Sequence, residues 1–179
     1  MFDDFRRRIG LSYTRFHFRA KKESPIRFSD VVTRSRKALI LFPEQPLDPG
    51  TAEMILRYLT RRFSNGSTTV IVREDLRSAL PALSAARVIT YTAEEVTSWF
   101  TPRSALIRRI KTSTFDVALD LNVNFALPSA FLCKESGAPV RVSFTKLNAD
   151  EFFNLQVRTR LIDNPSNAYQ SLMRCLDML

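Results

Sequence analysis

Glycine, histidine, cysteine and long apolar runs are all scarce in this chain of 179 residues. The four glycines form no glycine-rich phosphate loop, and neither the dinucleotide-binding pattern nor the P-loop pattern is found. The single histidine, His17, excludes a multi-histidine metal site, and a Ser-His-Asp triad would have to use it. Cys133 and Cys175 lie far apart, which favours buried reduced thiols over a disulfide scaffold or a zinc site. We therefore expect no metal and no cofactor.

The apolar runs are also too short for a membrane span. A bilayer-spanning helix needs ~18 apolar residues, and no run approaches that length. The N-terminus lacks the apolar segment of a signal peptide. With 45% apolar and 25% charged residues, the composition is that of an ordinary globular domain, which we expect in the cytoplasm.

Positive charge is concentrated at the N-terminus. Residues 1–37 contain eleven lysines or arginines and four acidic residues, a net charge of +7, whereas the remaining residues contain sixteen and fourteen, a net charge of +2. A nearly neutral body therefore follows a basic N-terminal arm, residues 1–36. Any partner selected by charge is expected to contact this arm.

Short apolar runs alternate with helical patterns along residues 37–179. The runs predict strands in "KALILF" (37–42), "TTVIVR" (68–73), "RVITYT" (87–92), "FDVALDL" (115–121), "VRVSF" (140–144) and part of "DEFFNLQVRTRL" (150–161). Helices are predicted over 47–66, 74–86 (broken at a proline), 93–100, 102–113, 127–139 and 164–179. Such alternation predicts a single α/β, Rossmann-like domain with a mostly parallel sheet of about five to six strands and helices on both faces.

Two aspartates four positions apart interrupt the fourth strand pattern, "FDVALDLN". Asp116 opens the strand, where a solvated carboxylate is expected. Asp120 lies near the carboxyl end, where open α/β sheets bind ligands. One interpretation is structural, with Asp120 accepting backbone N–H groups at the start of the next helix. The other is a ligand contact or catalytic base. We favour the structural interpretation.

The segment "FDVALDLNVNFALPSAFLCKESGAPVRVSF" (115–144) resembles glycosyltransferase family 9, the heptosyltransferases, in which a "yDlvIDLqg" strand precedes a helix, "SGA" and a short strand. With the three earlier strands, the resemblance covers about residues 37–145, the N-terminal half of that family. The closing "NADEFFNLQVR" and terminal helix resemble small stand-alone bacterial proteins of uncharacterised function built on the same half.

The resemblance implies a fold but not an intact catalytic apparatus. Family members carry a Gly-Asp pair after the first strand, with the aspartate as base, whereas "PEQPLDPG" places no glycine before Asp48. The family's "riGf" strand ending becomes "VRVSF", with Ser143 replacing glycine. The family's nucleotide-sugar donor binds to a second domain, for which we expect no room in this chain. Because glycosyl transfer needs a closed cleft, we expect no catalysis by one lobe.

The arm interleaves aromatic and cationic residues, which predicts a partner-binding or membrane-binding segment. Phe2, Phe5 and Ile9 are expected on one face of a helix ended by Gly10, and the "RFHFR" alternation favours an extended segment from Tyr13 onward. The predicted docking residues are Phe2, Phe5, Arg6, Arg7, Arg8, Ile9, Tyr13, Arg15, Phe16, Phe18, Arg19, Lys21 and Lys22. Packing on the domain, an anionic membrane, an acidic protein surface and nucleic acid all remain open.

The preferred hypothesis is a non-catalytic binding or scaffold subunit. It would dock through its arm onto a larger protein assembly at the inner face of a membrane, with anionic lipid as an additional contact. The first alternative is a glycosyltransferase-like enzyme that completes its site with another chain, using Asp48 or Asp120 as base and an arginine of the basic segment on a diphosphate. The second alternative is a nucleic-acid-binding protein, which the near-neutral body disfavours.

Overall fold

A six-stranded parallel sheet forms the centre of the molecule. The structure, a computed structural model, describes residues 2–20, 34–64, 67–81, 86–159 and 165–179. Within these ranges the strands are β1 (Lys37–Leu41), β2 (Ser67–Arg73), β3 (Ala86–Tyr91), β4 (Val117–Asp120), β5 (Val140–Phe144) and β6 (Leu155–Val157). They pair in the order β3-β2-β1-β4-β5-β6, and every pairing is parallel. The predicted Rossmann-like α/β fold is confirmed.

Helices cover both faces of this sheet. In the described part of the chain they are α1 (Phe2–Phe18), α2 (Pro49–Arg62), α3 (Ser104–Lys111), α4 (Leu127–Glu135) and α5 (Pro165–Asp177). Side chains of α2 and α5 pack on one face, for example Ile55 and Leu172, which belong to the same buried cluster as Ile40. Side chains of α1, α3 and α4 pack on the other face, for example Phe18 and Leu106. Because the central strands are buried on both faces, β1 is apolar after Lys37 and β4 is apolar up to Asp120.

Residues 93–102 differ from their predicted helices. Only a single 3₁₀ turn, Ala93–Glu95, forms, and Val96 then pairs with Pro102 in an isolated antiparallel bridge. The backbone N–H of Thr97 donates to the carbonyl oxygen of Thr101, 2.8 Å away, and the two hydroxyls also lie 2.8 Å apart. These local hydrogen bonds compete with helical ones. Pro102 is consequently outside α3, which begins at Ser104.

The first eighteen residues also differ from the prediction. Helix α1 continues through Gly10 to Phe18, so the extended segment expected from Tyr13 is wrong. Gly10 faces inward, and a Cβ atom built on it would lie 2.0 Å from the carbonyl oxygen of Trp99. Thr14 and Phe18 continue the buried face of the helix. Glycine therefore permits close packing here and does not end the helix. The predicted boundary between arm and domain remains a prediction, because residues 21–33 lie outside the described ranges.

No helix among the described residues is long and apolar enough to cross a membrane. The predicted peripheral membrane location remains a prediction.

Candidate functional site

The loops that follow β1 and β4 border a crevice at the carboxyl edge of the sheet. β1 and β4 are neighbours, but β1 is followed in sequence by β2 on one side and β4 by β5 on the other. Open α/β sheets bind ligands at such a switch in strand order. Residues 43–47 and 122–126 line a cavity of about 310 Å³, with Arg7 of α1 and Tyr169 of α5. We call this cavity the switch crevice.

Asp120 ends β4 beside this crevice, but its carboxylate is already engaged. Lys146 Nζ lies 2.7 Å from Asp120 Oδ2, and both side chains are buried. Oδ1 accepts the side-chain amide of Asn122 at 2.6 Å and its backbone N–H at 3.1 Å. The expectation that Asp120 caps the following helix is therefore wrong, because its backbone donor belongs to the loop before α4. The carboxylate instead forms a buried ion pair.

Lys146 is likewise saturated. In addition to Asp120, its ammonium group donates to the carbonyl oxygens of Asn122 and Asn124. The Ser143 hydroxyl lies 3.3 Å from both the carbonyl oxygen and Oδ2 of Asp120. This cluster joins the ends of β4 and β5 to the loop between β4 and α4. Its hydrogen bonds compensate the desolvation of both charges, and the arrangement accounts for Asp120 without a ligand.

Asp48 also has a structural role. Its side chain caps α2 by accepting the backbone N–H of Thr51 at 2.9 Å. Hydrogen bonding from Thr51 lowers the pKa of Asp48. A carboxylate with a lowered pKa is a weaker base, so the geometry disfavours the role of Asp48 as a catalytic base.

Asp116 is placed at the opposite, amino edge of the sheet. Its Oδ2 accepts the backbone N–H groups of Arg36 and Lys37, at 2.8 and 2.9 Å. These bonds hold the chain as it enters β1. Asp116 and Asp120 thus both make structural contacts of the sheet, at opposite ends of β4.

Glu44 is the carboxylate of the switch crevice that the sequence did not single out. It follows β1 by three residues, and its backbone N–H donates to Asn122 Oδ1 at 2.8 Å. Within the described ranges, Oε1 of Glu44 is buried and has no hydrogen-bond partner. Burial raises the pKa of Glu44, and the nearby Asp120 charge raises it further. Most buried polar atoms in proteins are hydrogen-bonded, so Glu44 is unusual among the residues that line the crevice.

Five of the thirteen predicted docking residues form one stripe along helix α1. Its members are spaced three or four apart and therefore share one helical face. We call this set the aromatic stripe: Phe2, Phe5, Ile9, Tyr13 and Phe16. The exposed fractions are 81% for Phe2, 62% for Phe5, 52% for Tyr13 and 63% for Phe16, whereas Ile9 is half-buried. The aromatic stripe lies away from the buried face of α1.

Several of the predicted docking cations contact groups of the same chain. Arg15 binds both carboxylate oxygens of Glu151, at 2.8 and 2.6 Å, and this contact raises the pKa of Arg15. Arg6 lies 3.7 Å from Asp3, and the Arg19 guanidinium lies 4.3 Å from the centre of the Phe16 ring. Arg7 faces the switch crevice and Arg8 is exposed.

Two kinds of predicted docking residue do not contribute to the exposed surface described here. Phe18 is buried, and its ring centre lies 5.1 Å from that of Phe131 on α4. Lys21 and Lys22 lie outside the described residues. Phe18 therefore attaches α1 to the domain instead of presenting itself to a partner.

The cysteines and histidine form no cluster with metal-binding geometry anywhere in the described ranges. Cys133 is buried and Cys175 half-buried, and both are free thiols. Burial raises the pKa of the Cys133 thiol, which disfavours the reactive thiolate. His17 Nε2 lies 3.1 Å from Glu135 Oε2, so the single histidine links α1 to α4.

The comparisons with known proteins support the fold. No family model matches the sequence, and no curated protein matches it significantly. Among solved structures, the chain is similar to a glycosyl transferase family 9 protein from Veillonella parvula, with a TM-score of 0.57 and 14% sequence identity. The match covers 80% of this chain and 42% of that protein, so the chain spans less than half of its length. The likeness establishes a shared Rossmann-like fold with a distant glycosyltransferase-like neighbour.

Sequence reasoning missed Glu44 and Lys146. Glu44 could have been found, because it lies two residues after the first predicted strand and this edge of the sheet is where ligands bind. Lys146 gave no comparable signal, since its contact with Asp120 spans 26 residues and depends on how two loops fold.

Proposed function

We propose that this protein is a non-catalytic binding subunit that docks through α1 onto an apolar, acid-rimmed groove of a partner protein in a larger, membrane-associated assembly. The observation that carries the proposal is the exposed aromatic stripe. At about 200 Å² per ring, its four exposed aromatic side chains present roughly 500 Å² of surface. The largest apolar patch on a typical monomer is of this size and is often functional.

The attachment of α1 to the domain supports this reading. The buried face of the helix, formed by Gly10, Thr14 and Phe18, is separate from the aromatic stripe. Docking on the domain therefore leaves the aromatic rings exposed. A rigid helix with a fixed apolar face binds a groove at lower entropic cost than a segment that must fold first.

The distribution of charge favours a protein groove over a purely electrostatic partner. Arg15 and Arg6 contact carboxylates of the same chain, which reduces the charge available to lipid or nucleic-acid phosphates. Arg8 and Arg19 flank the aromatic stripe and suit an acidic rim. Aromatic and arginine side chains dominate the binding energy of protein interfaces.

The two candidate bases of the enzymatic alternative support a non-catalytic role. Asp120 is neutralised by Lys146, and Asp48 caps α2. Asp120 is held in a buried ion pair, and the lowered pKa of Asp48 makes it a weaker base. Saturable binding of a nucleotide sugar to the full chain, lost in Asp120→Asn but retained in a folded control, would nevertheless restore the enzymatic alternative.

The decisive experiment changes the aromatic stripe without disturbing the core. In the variant, Phe2, Phe5, Tyr13 and Phe16 are replaced by serine. The control variant replaces Leu147 and Met178, which are 81% and 79% exposed outside α1, by serine. We expect the stripe variant to stop co-fractionating with native membrane extracts while the control still does. Equal co-fractionation of both variants would contradict the proposal.

The same preparations separate the partner classes. Association with extracted protein complexes in detergent, but not with vesicles of anionic lipid, is the expected pattern. Binding to the vesicles alone would replace the protein groove by a membrane surface. Binding to nucleic acid whose affinity falls steeply with salt would support the second alternative.

A further inference from the structure

The switch crevice is lined by one carboxylate side chain, Glu44, and one guanidinium side chain, Arg7, which come from different elements of the fold. Glu44 belongs to the loop after β1, and its buried Oε1 has no donor within the described residues. Arg7 belongs to α1 and contacts the Phe100 ring, 5.4 Å from its centre, but it forms no ion pair in the described part of the chain. The two charges sense each other electrostatically without meeting in a salt bridge.

The remaining charges near the crevice are compensated. Asp120 is paired with Lys146, and Arg73 is paired with Asp75 through both oxygens of the carboxylate. Glu44 and Arg7 are therefore the groups that a ligand would contact as opposite charges. Glu44 would repel a purely anionic ligand, and Arg7 would repel a purely cationic one.

We infer that the switch crevice binds a small zwitterion, with its cationic nitrogen on Glu44 and its anionic group near Arg7. The inference goes beyond the proposed function and does not depend on it. Free amino acids and phosphoethanolamine both have this chemistry. The apolar wall, which includes Leu47, Val123 and Phe125, suits a ligand that also carries a hydrocarbon portion.

The size of the crevice restricts the ligand. Its volume of about 310 Å³ is roughly that of ten water molecules in the liquid. This is at the small end of known ligand sites, which is suitable for an amino acid and too small to enclose a whole nucleotide sugar.

The electrostatics of Glu44 support the same assignment. Burial is the main cause of the raised pKa of Glu44; the charge of Asp120 raises it further, whereas Arg73, Arg7 and Lys146 lower it. An ammonium group on the Glu44 carboxylate, which lines the crevice, would favour its ionised form. Binding should consequently weaken as the pH falls and Glu44 becomes protonated.

The test uses matched ligands with the full-length protein. L-leucine is compared with 4-methylpentanoate, which lacks the ammonium group, and with isopentylamine, which lacks the carboxylate. Phosphoethanolamine forms a separate arm that distinguishes an amino acid from a phosphate-containing zwitterion. Affinity is measured by calorimetry, and amide chemical shifts identify the site. We expect one zwitterion to bind at least about tenfold more tightly than either half-ligand, because each half-ligand loses a charge-assisted contact.

Three variants locate the contacts. Glu44→Gln should abolish the advantage of the ammonium group, and Arg7→Gln should abolish the advantage of the anionic group. Arg87→Gln, at an exposed position on β3 outside the crevice, should leave both unchanged. Thermal unfolding shows whether each variant is folded, and Glu44→Gln should melt at the same or a higher temperature. The inference is overturned if neither zwitterion binds, or if binding is unchanged in Glu44→Gln.

Discussion

Replacing Gly10 by alanine tests whether α1 is docked as the structure shows. The added Cβ would lie 2.0 Å from the backbone oxygen of Trp99 and 2.8 Å from Leu127 Cδ2, whereas ordinary contacts begin at 3.4 Å. The helix must therefore move by more than 1 Å or displace the Trp99 loop. Overpacking of this kind costs about 1–3 kcal/mol, and we expect the upper end because the obstacle is backbone.

Helix propensity acts in the opposite direction. Exchanging glycine for alanine inside a helix stabilises it by about 0.8–1 kcal/mol. The net expectation for Gly10→Ala is thus a loss of about 1–2 kcal/mol in the free energy of unfolding. The control, Ser12→Ala, lies on the exposed side of α1 and should be neutral or stabilise the protein by a few tenths of a kcal/mol.

Urea unfolding followed by tryptophan fluorescence is the appropriate assay. Trp99 is the only tryptophan in the chain, and its carbonyl group forms the contact with Gly10. Far-ultraviolet circular dichroism of the same samples reports the global transition. If Gly10→Ala were as stable as Ser12→Ala, with an unchanged fluorescence spectrum, α1 would not occupy the position described here.

Three further predictions concern packing, the buried ion pair and Glu44. Phe18→Ala should lower the free energy of unfolding by about 3–5 kcal/mol because the Phe18 ring is buried, whereas Phe16→Ala should change it by no more than about 0.5 kcal/mol. Equal losses in chemical denaturation would show that the buried face of α1 is not the one described. Asp120→Asn should lower the free energy of unfolding by about 3–5 kcal/mol, because it leaves Lys146 buried and unpaired. Adding Lys146→Met should restore part of this stability, and additive losses in a double-mutant cycle would contradict the pairing. The raised pKa of Glu44 means that the folded protein holds this proton more tightly than the unfolded chain, so ionisation costs stability as the pH rises above the unfolded value. The stability advantage of Glu44→Gln should accordingly grow in urea titrations from acid to neutral pH, and a constant difference would refute this sign.

The central sheet could be predicted because its physical cause lies in local sequence. Strands buried on both faces require apolar runs, and "ALILF" (38–42) and "VAL" (117–119) are such runs. The cap at Asp48 was predictable for the same reason, since an N-cap needs only its own helix.

The path of α1 and the loop at 93–102 depend on contacts between distant segments. Gly10 is accommodated inside α1 because the Trp99 carbonyl approaches it, 89 residues along the chain. The alternation after Tyr13 suggested an extended segment, but burial of Thr14 and Phe18, four residues apart, favours a helix. In "AEEVTSWF", threonine hydrogen bonds outweigh the helical pattern.

In the candidate site, too, some features follow from the local sequence and others depend on contacts between distant segments. Asp120 could be placed at the carboxyl edge from sequence, because strand direction determines that position. Its partner could not be predicted, because Lys146 reaches it from the loop after β5. Whether a carboxylate at this edge is free or paired is therefore a property of the assembled loops, which no local pattern encodes.

Photo-crosslinking from the aromatic stripe tests the proposed docking surface most directly. A photoreactive phenylalanine analogue replaces Phe2 in one protein and Leu147 in a control, since both positions are 81% exposed. We predict that the Phe2 position forms one discrete, saturable adduct with a partner protein. Unlabelled wild-type chain should compete for that adduct, and the serine-substituted stripe variant should not. Equal adducts from both positions, or competition by the stripe variant, would contradict the account.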